Sequence, residues 1–93
     1  MPLVFEWDEE KADANLRSHA VSFREAATVF GDPLTLTIDD PVHSTEEDRL
    51  ITMGLSHAGR LVVVVHVERG DTIRIISARS ATRRERRTYE EGP

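Results

Sequence analysis

The chain has 93 residues, 39% hydrophobic and 31% charged, with a net charge of -5 at pH 7. That length supports a single domain over residues 1–93 with no large internal cavity, so a site would be a shallow groove on a sheet, better suited to a polymer than to a small metabolite. Without cysteine there are no disulfides, thiolate chemistry or cysteine zinc sites; with no apolar run near ~20 residues and an acidic N-terminus, the expectation is a cytoplasmic protein away from membranes.

Leu3 to Trp7 reads as a first strand. Asp8 is a good N-cap, and Glu9 and Glu10 in the first turn favour a helix to about Ser18, with Ala12, Leu16 and His19 on one stripe. Ser22-Phe-Arg-Glu25 has the form of a capping box, opening a second helix through Ala26, Val29 and Phe30 that stops at Gly31 before Pro33. Leu34 to Ile38 reads as a strand broken by Asp39-Asp40-Pro41, followed by a polar loop to Glu47. Arg49 to Leu55, Leu61 to Glu68 and Thr72 to Arg79 are strands separated by turns at Ser56–Gly59 and Arg69–Asp71. Leu61 to Val65 is apolar on both faces and belongs in the middle of the sheet. Thr82-Arg-Arg-Glu85 is a second capping box for a helix ending near Gly92. The order β-α-α-β-β-β-β-α predicts an α+β domain, an antiparallel sheet with helices packed on it.

Charge is split along the chain. Residues 1–50 carry twelve acids against four basic residues, and residues 51–93 carry eight arginines against five acids. Seven of these arginines fall between Arg69 and Arg87. Binding follows the local field of a patch, so the overall negative charge does not exclude an anionic partner. Arg83 and Arg84 lie where cations oppose the helix dipole, and with the free amides there they would strengthen an anion site; the simpler account leaves them in solvent or paired with the acidic half. Strict alternation in the last strand puts Ile73, Ile75, Ser77 and Arg79 on one face and Arg74, Ile76 and Ala78 on the other. Arg49 could reach the same groove, or pair with Glu47.

The histidines at 19, 43, 57 and 66 lack ligand spacing, so no metal site is expected. His43 and His57 read as inert loop and turn residues, His19 as a helix C-terminal contact and His66 as a satisfied, partly buried side chain. Tyr89, four residues after Glu85, is explained by packing as well as by proton transfer. No phosphate loop, nucleophile elbow or cofactor fingerprint is present, and no cofactor is expected.

Phe5-Glu6-Trp7-Asp8, Lys11, Asn15, His19-Ala-Val21-Ser22-Phe23, Glu25-Ala26 and Val29-Phe30 resemble the N-terminal signature of the BrnT toxins. Glu47-Asp48-Arg49, Gly54, Arg74-Ile-Ile-Ser-Ala-Arg79, Ala81, Glu85-Arg86 and Tyr89 resemble its second half. The resemblance runs from about residue 4 to residue 91. It implies a RelE-like fold and a type II toxin–antitoxin system in which the toxin cleaves RNA, arrests translation and growth, and is neutralised by a BrnA-type ribbon-helix-helix antitoxin. The complex would repress its own operon. The family's Lys-His-Gly is Ser18-His19-Ala20 here, which removes a phosphate contact and the glycine suited to a left-handed turn, so the helix ends are expected to shift.

A metal-free ribonuclease must deprotonate the ribose 2′-OH, stabilise the phosphorane and protonate the 5′-oxygen, and arginine suits the electrostatic part because its charge is permanent. On this basis Arg79 is the expected phosphate clamp, helped by Arg49, Arg74 or Arg83, with Ser77 positioning the phosphate. His19, Glu85 and Tyr89 are the candidates for proton transfer, and Arg83, Arg84 and Arg87 join Arg79 in binding RNA. The alternative is a non-catalytic module whose arginine-rich face docks an acidic partner or RNA.

Overall fold

Along the chain run β1 (Val4–Glu6), α1 (Glu9–His19), α2 (Phe23–Thr28), a 3-10 turn (Val29–Gly31), β2 (Leu36–Asp39), β3 (Arg49–Leu55), β4 (Leu61–Arg69), β5 (Thr72–Ser80) and α3 (Arg83–Glu91). The computed structural model describes residues 3–42 and 48–92. His43 and the end of the polar loop, with the Glu47 partner considered for Arg49, lie outside them.

The strands form one sheet in the order β1-β5-β4-β3-β2, with the doubly apolar β4 at its centre. From β2 onward each strand pairs antiparallel with the next. β1 departs from the wholly antiparallel expectation. It pairs parallel with β5, Val4 beside Thr72 and Glu6 beside Arg74, so the sheet is mixed. A tight turn forces antiparallel pairing only on strands it joins directly, and two helices separate β1 from the next strand.

Helices α1 and α2 cover one face of the sheet. There Val21, Phe23, Ala26 and Val29 pack on Val62, Val64, Ile73 and Ile75. The opposite face has a much smaller core, Met53, Leu61 and Val63, capped at one corner by Ala81 and Tyr89. Most of that second face is left uncovered by helix.

The two N-terminal helix starts behave differently. Asp8 caps α1 through the Glu10 and Lys11 amides. Ser22 accepts from the Glu25 amide at 3.0 Å, but the Glu25 side chain turns inward and leaves the box half made. The Thr82 box at α3 is complete. The expected apolar stripe on α1 is also corrected. Leu16 is 50% exposed and His19 exposed, while Asn15 is buried. Asn15 bonds both backbone groups of Ala78 and the Val21 carbonyl, acting as a strand partner where β1 has ended. A polar side chain can dock a helix when all its groups find partners.

α1 ends at His19, and position 20, where the resemblance leads to a glycine, is filled by alanine. Ala20 itself adopts the left-handed conformation, φ 57° and ψ 29°, and its amide reaches the Leu16 carbonyl at 2.9 Å. Among the described residues no other non-glycine has positive φ. An L-residue there costs about 1–2 kcal/mol, part of which glycine gives back through its freer unfolded chain. Ala20→Gly is therefore expected to stabilise the protein by about 0.5–1 kcal/mol, seen as a higher urea midpoint at unchanged slope. Gly54 answers a different need, since a Cβ there would lie 2.7 Å from the Thr35 methyl and 3.0 Å from Val29.

Candidate functional site

The last strand breaks its own alternation. Ser77 pairs with Val65 and Ile75 with His66, which leaves Ile76 as an extra residue in a β-bulge. Cross-strand partners share a face, so past the bulge each side chain of β5 changes sides. Ile73, Ile75 and Ala78 all reach the α1–α2 core, at 2%, 1% and 1% exposure. Arg74, Ser77 and Arg79, paired with Val67, Val65 and Val63, line the opposite, open face. Arg49 pairs with Val67 from the other side and joins them. The expectation that Arg74 and Ser77 lie on opposite faces, and that Ser77 and Arg79 share one with Ile73, is overturned. The bulge gathers Arg49, Arg74, Ser77 and Arg79 on one surface.

Arg79 and Arg74 each hold a carboxylate. Arg79 makes a two-pronged contact to Glu85, Nη1 to Oε1 at 2.8 Å and Nη2 to Oε2 at 2.9 Å. Glu85 also accepts the Thr82 amide at 2.9 Å. The Arg79 hydrogen bonds hold the Glu85 carboxyl down to about 2 despite burial, which acts to raise it. Arg74 meets Glu6 of β1 at 2.8 Å. The arginines of α3 differ. Among the described residues, the side chains of Arg83, Arg84, Arg86 and Arg87 have no hydrogen-bond or ion-pair partner. Arg84 stands with Glu85 and Thr88 on the rim of a groove over the open face, while Arg83, Arg86 and Arg87 are exposed along the helix.

Other candidates lie elsewhere. Tyr89 packs on the corner of the open face, but its hydroxyl donates to Asp32 at 2.5 Å, which raises the phenol's pKa. Burial acts to raise the Asp32 carboxyl, yet the Leu55 amide, the Tyr89 hydroxyl and the Leu34 amide together hold it low. Tyr89 thus latches α3 to the end of β3. His19 lies beside Lys11, Asn15, Ser18 and Ile76 on the far side of the sheet. His57 stays at its turn, bonded through its amide to Thr28.

His66 is fully buried, against the expectation of partial burial, and only half satisfied. Its Nε2 meets Thr52 Oγ1 at 2.7 Å, and its Nδ1 has no hydrogen bond. Glu68 stands 3.9 Å from Nδ1, and Phe30 packs edge-on against the ring. Burial depresses its pKa from 6.5 to about 4. The folded state thus resists a proton that the unfolded chain accepts. The stability this neutral ring contributes is full above about pH 6.5 and is lost as pH falls toward 4. Urea titrations across that interval should show the loss, and His66→Gln should flatten the slope.

A buried polar cluster around Glu25 has no counterpart in the sequence pattern. Glu25, 8% exposed, receives Ser56 Oγ at 2.7 Å and two Arg60 bonds, Nε at 2.9 Å and Nη2 at 2.5 Å. Arg60 Nη2 also donates to the Ala20 carbonyl. Arg60, alone in a hairpin turn, gave no local signal of a partner 35 residues earlier. Among the described residues no three metal-ligating side chains come together, and no helix is long and apolar enough to cross a membrane.

The same architecture, an α+β domain with helices sealing one face of the sheet, is found in the ribonuclease toxin BrnT of Brucella abortus. Its crystal structure superposes with a TM-score of 0.65 at 22% identity, over 89% of this chain and 99% of that one. At that identity the likeness establishes the fold. The sequence establishes the family, because residues 7–85 match the model for the ribonuclease toxin, BrnT, of type II toxin–antitoxin systems. The chain belongs to the BrnT family. No curated protein sequence matches it.

Proposed function

We propose that this toxin cleaves RNA without a metal ion, on the open face where β5 presents Arg74, Ser77 and Arg79 beside Arg49. The observation that carries this is the bulge at Ile76, which brings four anion-binding side chains to one surface. Permanent positive charge aimed at the scissile phosphate is the strongest stabilisation open to such an enzyme. Arg79 is the clamp. The Glu85 carboxylate occupies its fork in the isolated chain, in the bidentate geometry a phosphate would adopt.

That pairing suggests how a weak base becomes useful. With a pKa of about 2, Glu85 cannot take the 2′-OH proton efficiently. A phosphate that draws Arg79 away removes the main cause of that depression and raises the basicity of Glu85 where a base is needed. Ser77 donates to a phosphate oxygen, Arg49 and Arg74 hold the strand on either side, and Arg83, Arg84 and Arg87 attract it. His19 lies at the end of α1 on the other side of the sheet, and the Tyr89 hydroxyl is engaged by Asp32. In this proposal protonation of the leaving oxygen is therefore assigned to Glu85 or water.

The fold is RelE-like in this proposal, the antitoxin is of the BrnA ribbon-helix-helix type, and the complex represses its own operon in the cytoplasm. A second reading, binding without turnover, draws support from the fact that Arg74 and Arg79 already hold carboxylates. Incubating the purified chain with single-stranded RNA in the presence of chelator separates the two. Cleavage products support the enzyme; stable binding of intact RNA supports the module.

A further inference from the structure

The open face is not uniformly polar. Between α3 and the β2–β3 edge runs a groove of about 260 Å³, floored by Leu36, Ile38, Ile51, Met53 and Val63 and rimmed by Arg84. β2 is an edge strand. Ile38 on it is 61% exposed, and Leu34 and Val42 on either side are 69% and 73% exposed. An apolar floor of this kind, continued by the exposed Ile38 on an edge strand, marks an interaction surface.

The lining discriminates between occupants. Unpaired RNA bases bind by stacking on aromatic rings, and this floor has none. An amphipathic helix instead lays aliphatic side chains, spaced i, i+3, i+4 and i+7, into such a groove. The wall supplies the second feature. Arg84 lines it beside Glu85, whose carboxylate is already taken by Arg79. Arg87 is exposed one turn further along α3. Among the described residues neither Arg84 nor Arg87 has a side-chain partner. The first turn of α3 also carries Arg83, adding positive charge at a positive helix end. An occupant with acidic side chains along one flank relieves that charge and covers the apolar floor together.

We infer that the groove between α3 and the β2–β3 edge receives an amphipathic helix with an acidic flank, supplied by the protein that neutralises this toxin. It rests on the antitoxin partnership proposed above for the choice of partner. A helix seated there would lie over Arg84 and beside the Arg79–Glu85 pair, so inhibition would follow from competition with RNA for one face.

The chain has no cysteine, so Ile38→Cys offers a single attachment point for a photo-crosslinker in the complex with the cognate antitoxin. The crosslink should fall in an acidic antitoxin segment whose apolar residues follow helical spacing. Ile38→Asp should weaken antitoxin binding by about 30-fold or more, with RNA cleavage by the isolated toxin unchanged. Arg84→Glu should weaken binding as well. Unchanged affinity in Ile38→Asp, or a crosslink to a segment without that pattern, would overturn the assignment. Loss of RNA cleavage in Ile38→Asp with antitoxin binding intact would give the groove to RNA instead. If even the unaltered toxin leaves RNA intact while Ile38→Asp still loses the antitoxin, the ribonuclease proposal fails and the docking site stands.

Discussion

Replacing Arg79 with alanine is expected to reduce RNA cleavage by about 10²–10³-fold, the loss typical when one preorganised donor to a developing negative charge is removed. Growth arrest on induced expression should disappear with it. The fold should survive. Glu85 keeps its bonds to the Thr82 amide and to the start of α3, and the Arg79 side chain is 42% exposed, so the stability cost is about 1 kcal/mol or less. Arg79→Lys should recover little activity, because an ammonium cannot reproduce the planar fork now filled by Glu85. The decisive comparison is cleavage rate against circular dichroism on the same preparation. A folded Arg79→Ala protein that cuts RNA at the parental rate would remove Arg79 from the clamp.

The second large effect concerns stability. Glu25→Gln should cost about 2–3 kcal/mol, below the ~3–5 kcal/mol of a fully buried pair because the Arg60 side chain is 41% exposed. In a domain of this size that lowers Tm by on the order of 10 °C. The substitution discharges an anion that anchors Ser56 and Arg60, and through Arg60 the Ala20 carbonyl. Hydrogen bonding from Arg60 holds the Glu25 carboxyl down to about 2. The folded pKa lies below the unfolded value near 4.5, so this contribution is complete above about pH 4.5 and disappears as pH falls toward 2. Acid titrations of the parent should show that loss, and Glu25→Gln should lack it. Equal Tm values for the two proteins at pH 7 would show that the cluster contributes nothing net.

What was legible in the sequence was local. Asp8 and Thr82 cap helices because capping needs only neighbouring residues, and β4 was read as central from its unbroken apolar run. The failures were of range. Nothing near Phe5 indicates that its strand pairs parallel with a segment more than sixty residues later. Nothing near Glu25 names Arg60. The bulge failed for another reason. Ile75 and Ile76 are chemically alike, so the pattern of β5 does not show which of them lies outside the ladder, and that choice decides the side on which Arg74 meets Ser77 and Arg79. The arginine-rich context drew attention to Arg79; the face it shares with Arg74 and Ser77 was not legible.

The place of β5 in the sheet also sets the timing of synthesis. β1, α1 and α2 are made first, yet all three pack on β5, which is synthesised more than forty residues after α2. Until Thr72 to Ser80 emerge, the N-terminal elements have no platform, and the arginine face does not exist. A chain cut short of Thr72 therefore lacks both the platform for its N-terminal elements and the strand that carries Arg74, Ser77 and Arg79.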